Sequence, residues 1–205
     1  MDIKSEEILK DIKKEAIENK VPIVEDESLD VILTLLKIAR PNKILEIGTA
    51  VGYSAIQFSK YLYGKDSKIK SIELKEKMYE KAKENVNKMQ LEEKIELIHA
   101  DATEYITQIP DNEQYDIIFI DAAKGQYLVF LENAIRLIKN RGIIIADNIF
   151  YRGRTLSDYN DHKHRTATNR LREYIKIINE DERLDSSIIQ IGDGLAVSIV
   201  KKEEE

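Results

Sequence analysis

Apolar residues recur along this 205-residue chain in two rhythms. Ile8, Leu9, Ile12, Ala16 and Ile17 fall on one face at helical spacing, and Leu29, Ile32, Leu33, Leu36 and Ala39 do so again after Pro22. This predicts two amphipathic helices. From Lys43 onward the rhythm shortens to β-rich runs: KILEI at 43–47, IKSIEL at 69–74, IELIHA at 95–100, DIIFID at 116–121 and GIIIAD at 142–147. Longer stretches of helical period separate them, such as 75–90 and 127–139, and such alternation predicts a parallel sheet with crossover helices. Near the end, SIIQIGDGLAVSIVK (187–201) offers two further runs joined through Gly192, Asp193 and Gly194. Those three residues tolerate the positive φ of a tight hairpin, so the last strand is expected to run antiparallel. The fold class read from this pattern is α/β, a doubly wound, Rossmann-like, seven-stranded sheet with an antiparallel last strand. A single domain over 1–205 is expected: N-terminal helices to 40, the core over 41–200, and a charged tail at 201–205.

Composition narrows the chemistry. The chain has no cysteine, which excludes disulfides, thiolate metal sites and cysteine nucleophiles and fits a reducing compartment. The first twenty residues are charged throughout and no stretch has the apolar length of a membrane span, so a cytoplasmic protein without membrane attachment is expected. The net charge of −6 argues against a general attraction to nucleic acid, while leaving room for a local basic patch.

Each of five apolar runs delivers an acid at or just past its end: Glu46, Glu73, Asp101, Asp121 and Asp147. Parallel strands of a doubly wound sheet direct their carboxyl ends to one rim, where ligands bind, so these acids are expected to converge. Glu46 lies in LEIGTAVGYS, where Gly48 and Gly52 permit a tight strand-to-helix turn. The spacing lacks the G-x-G-x-x-G of dinucleotide enzymes, which points to a nucleoside ligand without a diphosphate and against a nicotinamide dehydrogenase. Glu73, ending the second strand, is placed to accept both hydroxyls of a ribose. Asp121 on the fourth strand, with Asp147 and Asn148 on the fifth, would supply two carboxylates and an amide oxygen to a hard cation such as Mg²⁺, Mn²⁺ or Ca²⁺.

Bland readings stand beside these. Asp121 alone reads as a turn residue or helix cap, Glu46 as a cap for local amides, and Lys124 as a surface lysine. The charge-rich helix at 75–90 reads as a solvated face. His99, His162 and His164 have no metal-ligand spacing, and His99 is read as structural.

Taken in order, EIGTAVGYS, IEL, HADA, FIDAAKGQY and IADN resemble the class I, cation-dependent S-adenosylmethionine O-methyltransferases, including the catechol and caffeoyl-CoA enzymes. VPIVE, FIDAAKGQY, DNIFYRG and GDGLAVS are most similar to the bacterial branch that methylates 5-hydroxyuridine in the tRNA anticodon. The resemblance implies that Val24, Glu46, Gly48, Ser54, Glu73, Asp101, Ala102 and Asp121 surround the cofactor. Glu73 would lie on the ribose and Asp101 beside the adenine. It further implies that Asp121, Asp147 and Asn148 hold the metal and that Lys124 lies against the reacting hydroxyl, with Asp121 and Lys124 as the catalytic pair. Relatives are commonly dimers, so a homodimer is expected.

Methyl transfer from a sulfonium is an in-line displacement that needs an oxygen nucleophile aimed along the carbon–sulfur axis. A divalent cation stabilises the oxyanion that makes such a nucleophile, and Lys124 either takes the proton or stays charged beside the oxyanion. The 5-oxygen and 4-carbonyl of 5-hydroxyuridine form a chelating pair like that of a catechol, so one site could serve either acceptor. The segment 150–172 carries Arg152, Arg154, Lys163, Arg165, Arg170 and Arg172 against Asp158 and Asp161, with Phe150, Tyr151 and Tyr159 as stacking candidates. It favours a tRNA substrate contacted through Arg152 and Arg154. The alternative is a small vicinal hydroxy-aromatic substrate; the catechol enzymes line their substrate cleft with tryptophan, and its absence here weighs against a simple catechol. A cofactor-binding RNA module without catalysis is a third reading, disfavoured by the three ligand residues and Lys124.

Overall fold

The structure is a computed structural model and describes residues 3–158 and 162–202. By internal contacts the chain divides into two compact units, residues 1–102 and 103–205.

In the first unit, α1 (Ile3–Glu18) and α2 (Asp26–Ala39) are the two amphipathic helices expected, burying Leu9, Ile12 and Ala16 and then Leu29, Ile32 and Leu36. α2 ends where Arg40 enters the left-handed region at φ 50° and returns its N–H to the Leu36 carbonyl. Pro41 follows and cannot extend the helix. β1 (Lys43–Ile47), β2 (Lys68–Glu73) and β3 (Ile95–His99) pair in parallel in the order β3-β2-β1. α3 (Tyr53–Ser59) and α4 (Glu76–Lys88) connect them. Ile44, Leu45 and Ile47 on β1 are wholly buried, as expected of a parallel strand covered on both faces.

α5 (Ala102–Gln108) begins at the boundary. In the second unit β4 (Tyr115–Ile120) pairs in parallel with β5 (Ile138–Ala146). β7 (Leu195–Val200) runs antiparallel to both β5 and β6 (Leu184–Ile189), as the hairpin signal predicted. α6 (Tyr127–Leu137) stops short of the helical stretch read to 139. Ile138 is extended instead, fully buried, and paired with Tyr115, so strand pairing overrides the local helical period there. α7 (Arg165–Glu180) occupies part of what the sequence suggested as a basic loop; it buries Thr168, Leu171, Tyr174 and Ile178, a helical repeat hidden among charges. Tyr159 and Asp161 lie outside the described residues, as does the end of the 201–205 tail. Among the described residues no helix is long and apolar enough to cross a membrane.

Candidate functional site

The first unit offers a braced turn. Between β1 and α3 the backbone passes through φ 103° at Gly48, 47° at Ala50 and 80° at Gly52. Glycine supplies two of these left-handed positions without strain. Ala50 pays for the third with a bond: its N–H donates to Glu73 Oε2 at 2.8 Å. The N–H groups of Gly48 and Thr49 both donate to the Ile72 carbonyl, and Asn85 Nδ2 donates to the Val51 carbonyl at 2.9 Å.

Glu46 is wholly buried beneath this turn. Ser54 Oγ donates to its Oε1 at 2.5 Å, Ser71 Oγ donates to its Oε2, and Thr49 Oγ1 lies 2.6 Å from the Ser71 hydroxyl. Glu46 and Ser54, expected at the cofactor, thus brace the turn from inside. Glu73 ends β2 with Oε1 accepting the Lys75 N–H at 2.9 Å and Oε2 accepting that of Ala50. Each carboxylate oxygen carries a second acceptor site, so two hydroxyl donors can still be received. The Ala100 N–H bonds the Glu73 carbonyl at 3.1 Å, which sets exposed Asp101 and then Ala102 just beyond the ends of β2 and β3. Val24 is buried in the segment before α2. His99 stacks on Tyr79 with ring centroids 5.1 Å apart, in keeping with its structural reading.

The second unit gathers a cation and oxygens. Asp121 directly follows β4, and Asp147 and Asn148 directly follow β5. Asp147 is wholly buried, and its Oδ1 accepts the Asn148 N–H at 2.8 Å while Asn148 itself sits at φ 56°. Lys124, in a 3-10 turn at Lys124–Gln126, directs its Nζ into this group. The ammonium lies 2.9 Å from Asp121 Oδ1, 3.2 Å from Asn148 Oδ1, 3.2 Å from the Asp147 carbonyl and 2.7 Å from the Tyr127 hydroxyl. The structure thus gathers side-chain oxygens of Asp121 and Asn148 around Lys124, with Asp147 present through its main-chain carbonyl, not its carboxylate.

Tyr127 ends the FIDAAKGQY string, and the sequence assigns it no role. It opens α6, is wholly buried, and donates its hydroxyl to the Asp147 carbonyl at 2.7 Å. Burial, reinforced by the charges of Asp121 and Asp147, holds its pKa well above the ordinary tyrosine value. The one available signal was its position three residues after Lys124, on the same side of a helical turn.

Carboxylate and amide oxygens are the hard donor type that divalent ions take. Here one such oxygen from Asp121 and one from Asn148 accept from the Lys124 ammonium at 2.9 and 3.2 Å. Among the described residues no three Asp, Glu, His or Cys side chains form a cluster that could hold a metal ion, and the cation implied by the resemblance would rest on two carboxylates, of Asp121 and Asp147, and the Asn148 amide oxygen.

The basic segment is partly committed to its own fold. Arg172 donates to the carbonyls of Arg154, Thr155 and Ser157, and Arg170 pairs with Glu173 at 3.1 Å. Arg154 stacks over Tyr151 at 4.9 Å, and Tyr151 in turn bonds His164 Nδ1 at 2.9 Å. Arg152 has an exposed side chain at φ 56°, and its N–H is received by the Asp193 carboxylate at 2.6 and 2.8 Å. Asp193, read only as a hairpin residue, thus anchors the loop that follows β5.

A family model described as O-methyltransferase matches residues 1–202. The tapetum-specific methyltransferase 1 of Arabidopsis thaliana is 32% identical over 201 residues, covering 93% of this chain and 85% of that protein. The catechol O-methyltransferase of Niastella koreensis is 28% identical over 174 residues, covering 82% and 77%. A Staphylococcus aureus crystal structure provisionally described as a caffeoyl-CoA O-methyltransferase has a TM-score of 0.86 at 32% identity, covering 94% of this chain and 91% of that one. The Bacillus cereus O-methyltransferase, solved in complex with SAH, has a TM-score of 0.84 at 25% identity, covering 95% and 91%. The α/β class expected from the sequence is the fold of these structures.

Proposed function

From the premise that this chain belongs to the O-methyltransferase family, we propose that it transfers a methyl group from S-adenosylmethionine to one oxygen of a small vicinal hydroxy-aromatic acceptor, with a divalent cation at Asp121, Asp147 and Asn148. The observation that carries this reading is the convergence of the Lys124 ammonium with the oxygens of Asp121 and Asn148 at 2.9 and 3.2 Å. The product of methyl donation bound in the Bacillus cereus relative supports the donor, and the catechol and caffeoyl-CoA names among the relatives support a small acceptor.

In the reaction an oxygen–carbon bond forms as the carbon–sulfur bond breaks, the sulfonium leaves as a neutral thioether, and the proton of the acceptor hydroxyl passes to solvent. A cation held by Asp121, Asp147 and Asn148 would supply Lewis acidity that lowers the pKa of the hydroxyl. Lys124 places positive charge where the oxyanion develops, held there by the oxygens around its Nζ. On the donor side Glu73 receives ribose hydroxyls, Gly48 lets the ligand approach the backbone, and Asp101 flanks the adenine. Glu46 and Ser54 keep the turn in shape from beneath.

A tRNA acceptor bearing 5-hydroxyuridine is the second reading, favoured by exposed Arg152 four residues beyond Asn148. The deciding experiment incubates purified protein, labelled donor and Mg²⁺ with catechol, with caffeoyl-CoA, and with bulk tRNA lacking the final methyl. Label on a small acceptor is expected, abolished by a chelator and restored by Mg²⁺ or Mn²⁺. Label on tRNA alone would replace the first reading with the second, and labelling that survives chelation would remove the cation from either.

A further inference from the structure

We propose that Tyr127 is a positioning residue for the methyl-transfer reaction: its buried hydroxyl aims the Lys124 ammonium by tying it to the Asp147 carbonyl. The proposal rests on the reading of Lys124 given above.

A lysine ammonium has three N–H donors and a long, flexible stem, so its direction is set by its partners. Four oxygens surround Lys124 Nζ here, and the Tyr127 hydroxyl, at 2.7 Å, is the closest of them. Three donors cannot serve four acceptors equally. Two of those acceptors, on Asp121 and Asn148, are the oxygens assigned to a cation, which would compete for them. The Tyr127 hydroxyl and the Asp147 main-chain carbonyl are the two that the cation reading leaves to the lysine.

The phenol is suited to the task because both its capacities are used. It accepts from Lys124 and donates to the Asp147 carbonyl at 2.7 Å, the alternative acceptor on Ile120 being 3.4 Å away. That carbonyl belongs to the peptide whose N–H, on Asn148, bonds the Asp147 carboxylate. One hydroxyl therefore links the lysine to the strand end that carries both residues. The ring cannot drift: it is wholly buried, edge-on to Tyr174 at 5.6 Å and 79°, and tilted against Phe130 at 6.5 Å.

Tyr127→Phe keeps the ring and removes only the oxygen. Its kcat for the methylated acceptor should fall about 10-fold, the size expected for losing one hydrogen bond to a charged group. The acceptor KM and the calorimetric affinity for S-adenosylmethionine should stay within about 2-fold, and the melting temperature within about 4 °C. Mn²⁺ affinity, read by electron paramagnetic resonance, should also hold, because the ligand side chains remain. The decisive arm repeats the substitution in a Lys124→Met background, where the phenol has no ammonium to aim and kcat should not fall further. An equal fall in both backgrounds, or a fall matched by weakened Mn²⁺ binding, would overturn the role of Tyr127 while leaving that of Lys124 intact. If Lys124→Met alone left kcat unchanged, the reading of Lys124 would fail and the aiming role with it.

Discussion

Tyr174 shows what burial does to a hydroxyl that has nothing to bond. Its ring is wholly buried beside Tyr127, and its oxygen finds no hydrogen-bond partner among the described residues. Burial, with a smaller contribution from Tyr127, raises its pKa far above the ordinary tyrosine value. An unpaired buried hydroxyl is unfavourable by about 1–3 kcal/mol, so Tyr174→Phe is expected to stabilise the protein by about 1 kcal/mol. The pH dependence has a definite sign. The unfolded chain releases this proton near pH ~10 while the folded chain keeps it, so the stability is fully present below that value. It is lost as pH rises above it, by about 1.4 kcal/mol per pH unit for the one group. Thermal melts across the alkaline range should therefore decline less steeply for Tyr174→Phe than for the parent. Parallel curves would show that the folded protein releases this proton as readily as the unfolded chain.

At the scale of elements, the loop after β5 depends on the turn before β7. Ile149 and Phe150 donate their N–H groups to the carbonyls of Gly194 and Asp193, and the Asp193 carboxylate holds the N–H of Arg152. This stapling sustains left-handed backbone at Asn148, Tyr151 and Arg152, conformations that non-glycine residues adopt only when their surroundings enforce them. Gly194 has φ 86°, and a Cβ there would lie 2.5 Å from the Phe150 ring. Gly194→Ala must strain the backbone and displace the ring together, and a loss of about 2–3 kcal/mol is expected in denaturant unfolding. An unchanged midpoint would mean that Phe150 moves aside freely and that the loop is not held from this side.

At the scale of the whole molecule, charge offers a test between acceptors. The protein carries a net charge of −6 with a pI near 5.3, and several cations of the 150–172 segment are spent on its own carbonyls and carboxylates. Arg152→Glu should leave turnover of catechol within about 2-fold, since an exposed charge acts weakly on a neutral ligand. A drop of about 10-fold or more with tRNA but not with catechol, narrowing in high salt, would point to a phosphate contact at this arginine. The sequence by itself determined the succession of strands and helices, because burial on a strand or a helix face writes a period of 2 or 3.6 into the apolar positions. It also placed acids at the strand ends and Lys124 three residues after Asp121, since those are relations of spacing. It did not reveal α7, whose apolar stripe is masked by arginines, or the early start of β5 at Ile138, where pairing with Tyr115 overrides local preference. Only the tertiary structure turned Glu46 inward onto two serines, joined Asp193 to Arg152, and seated Tyr127 between Lys124 and Asp147. Each of these is a bond between groups far apart in the chain or on differently directed elements. A one-dimensional pattern records which face a side chain takes, whereas its partner is fixed only when the elements pack.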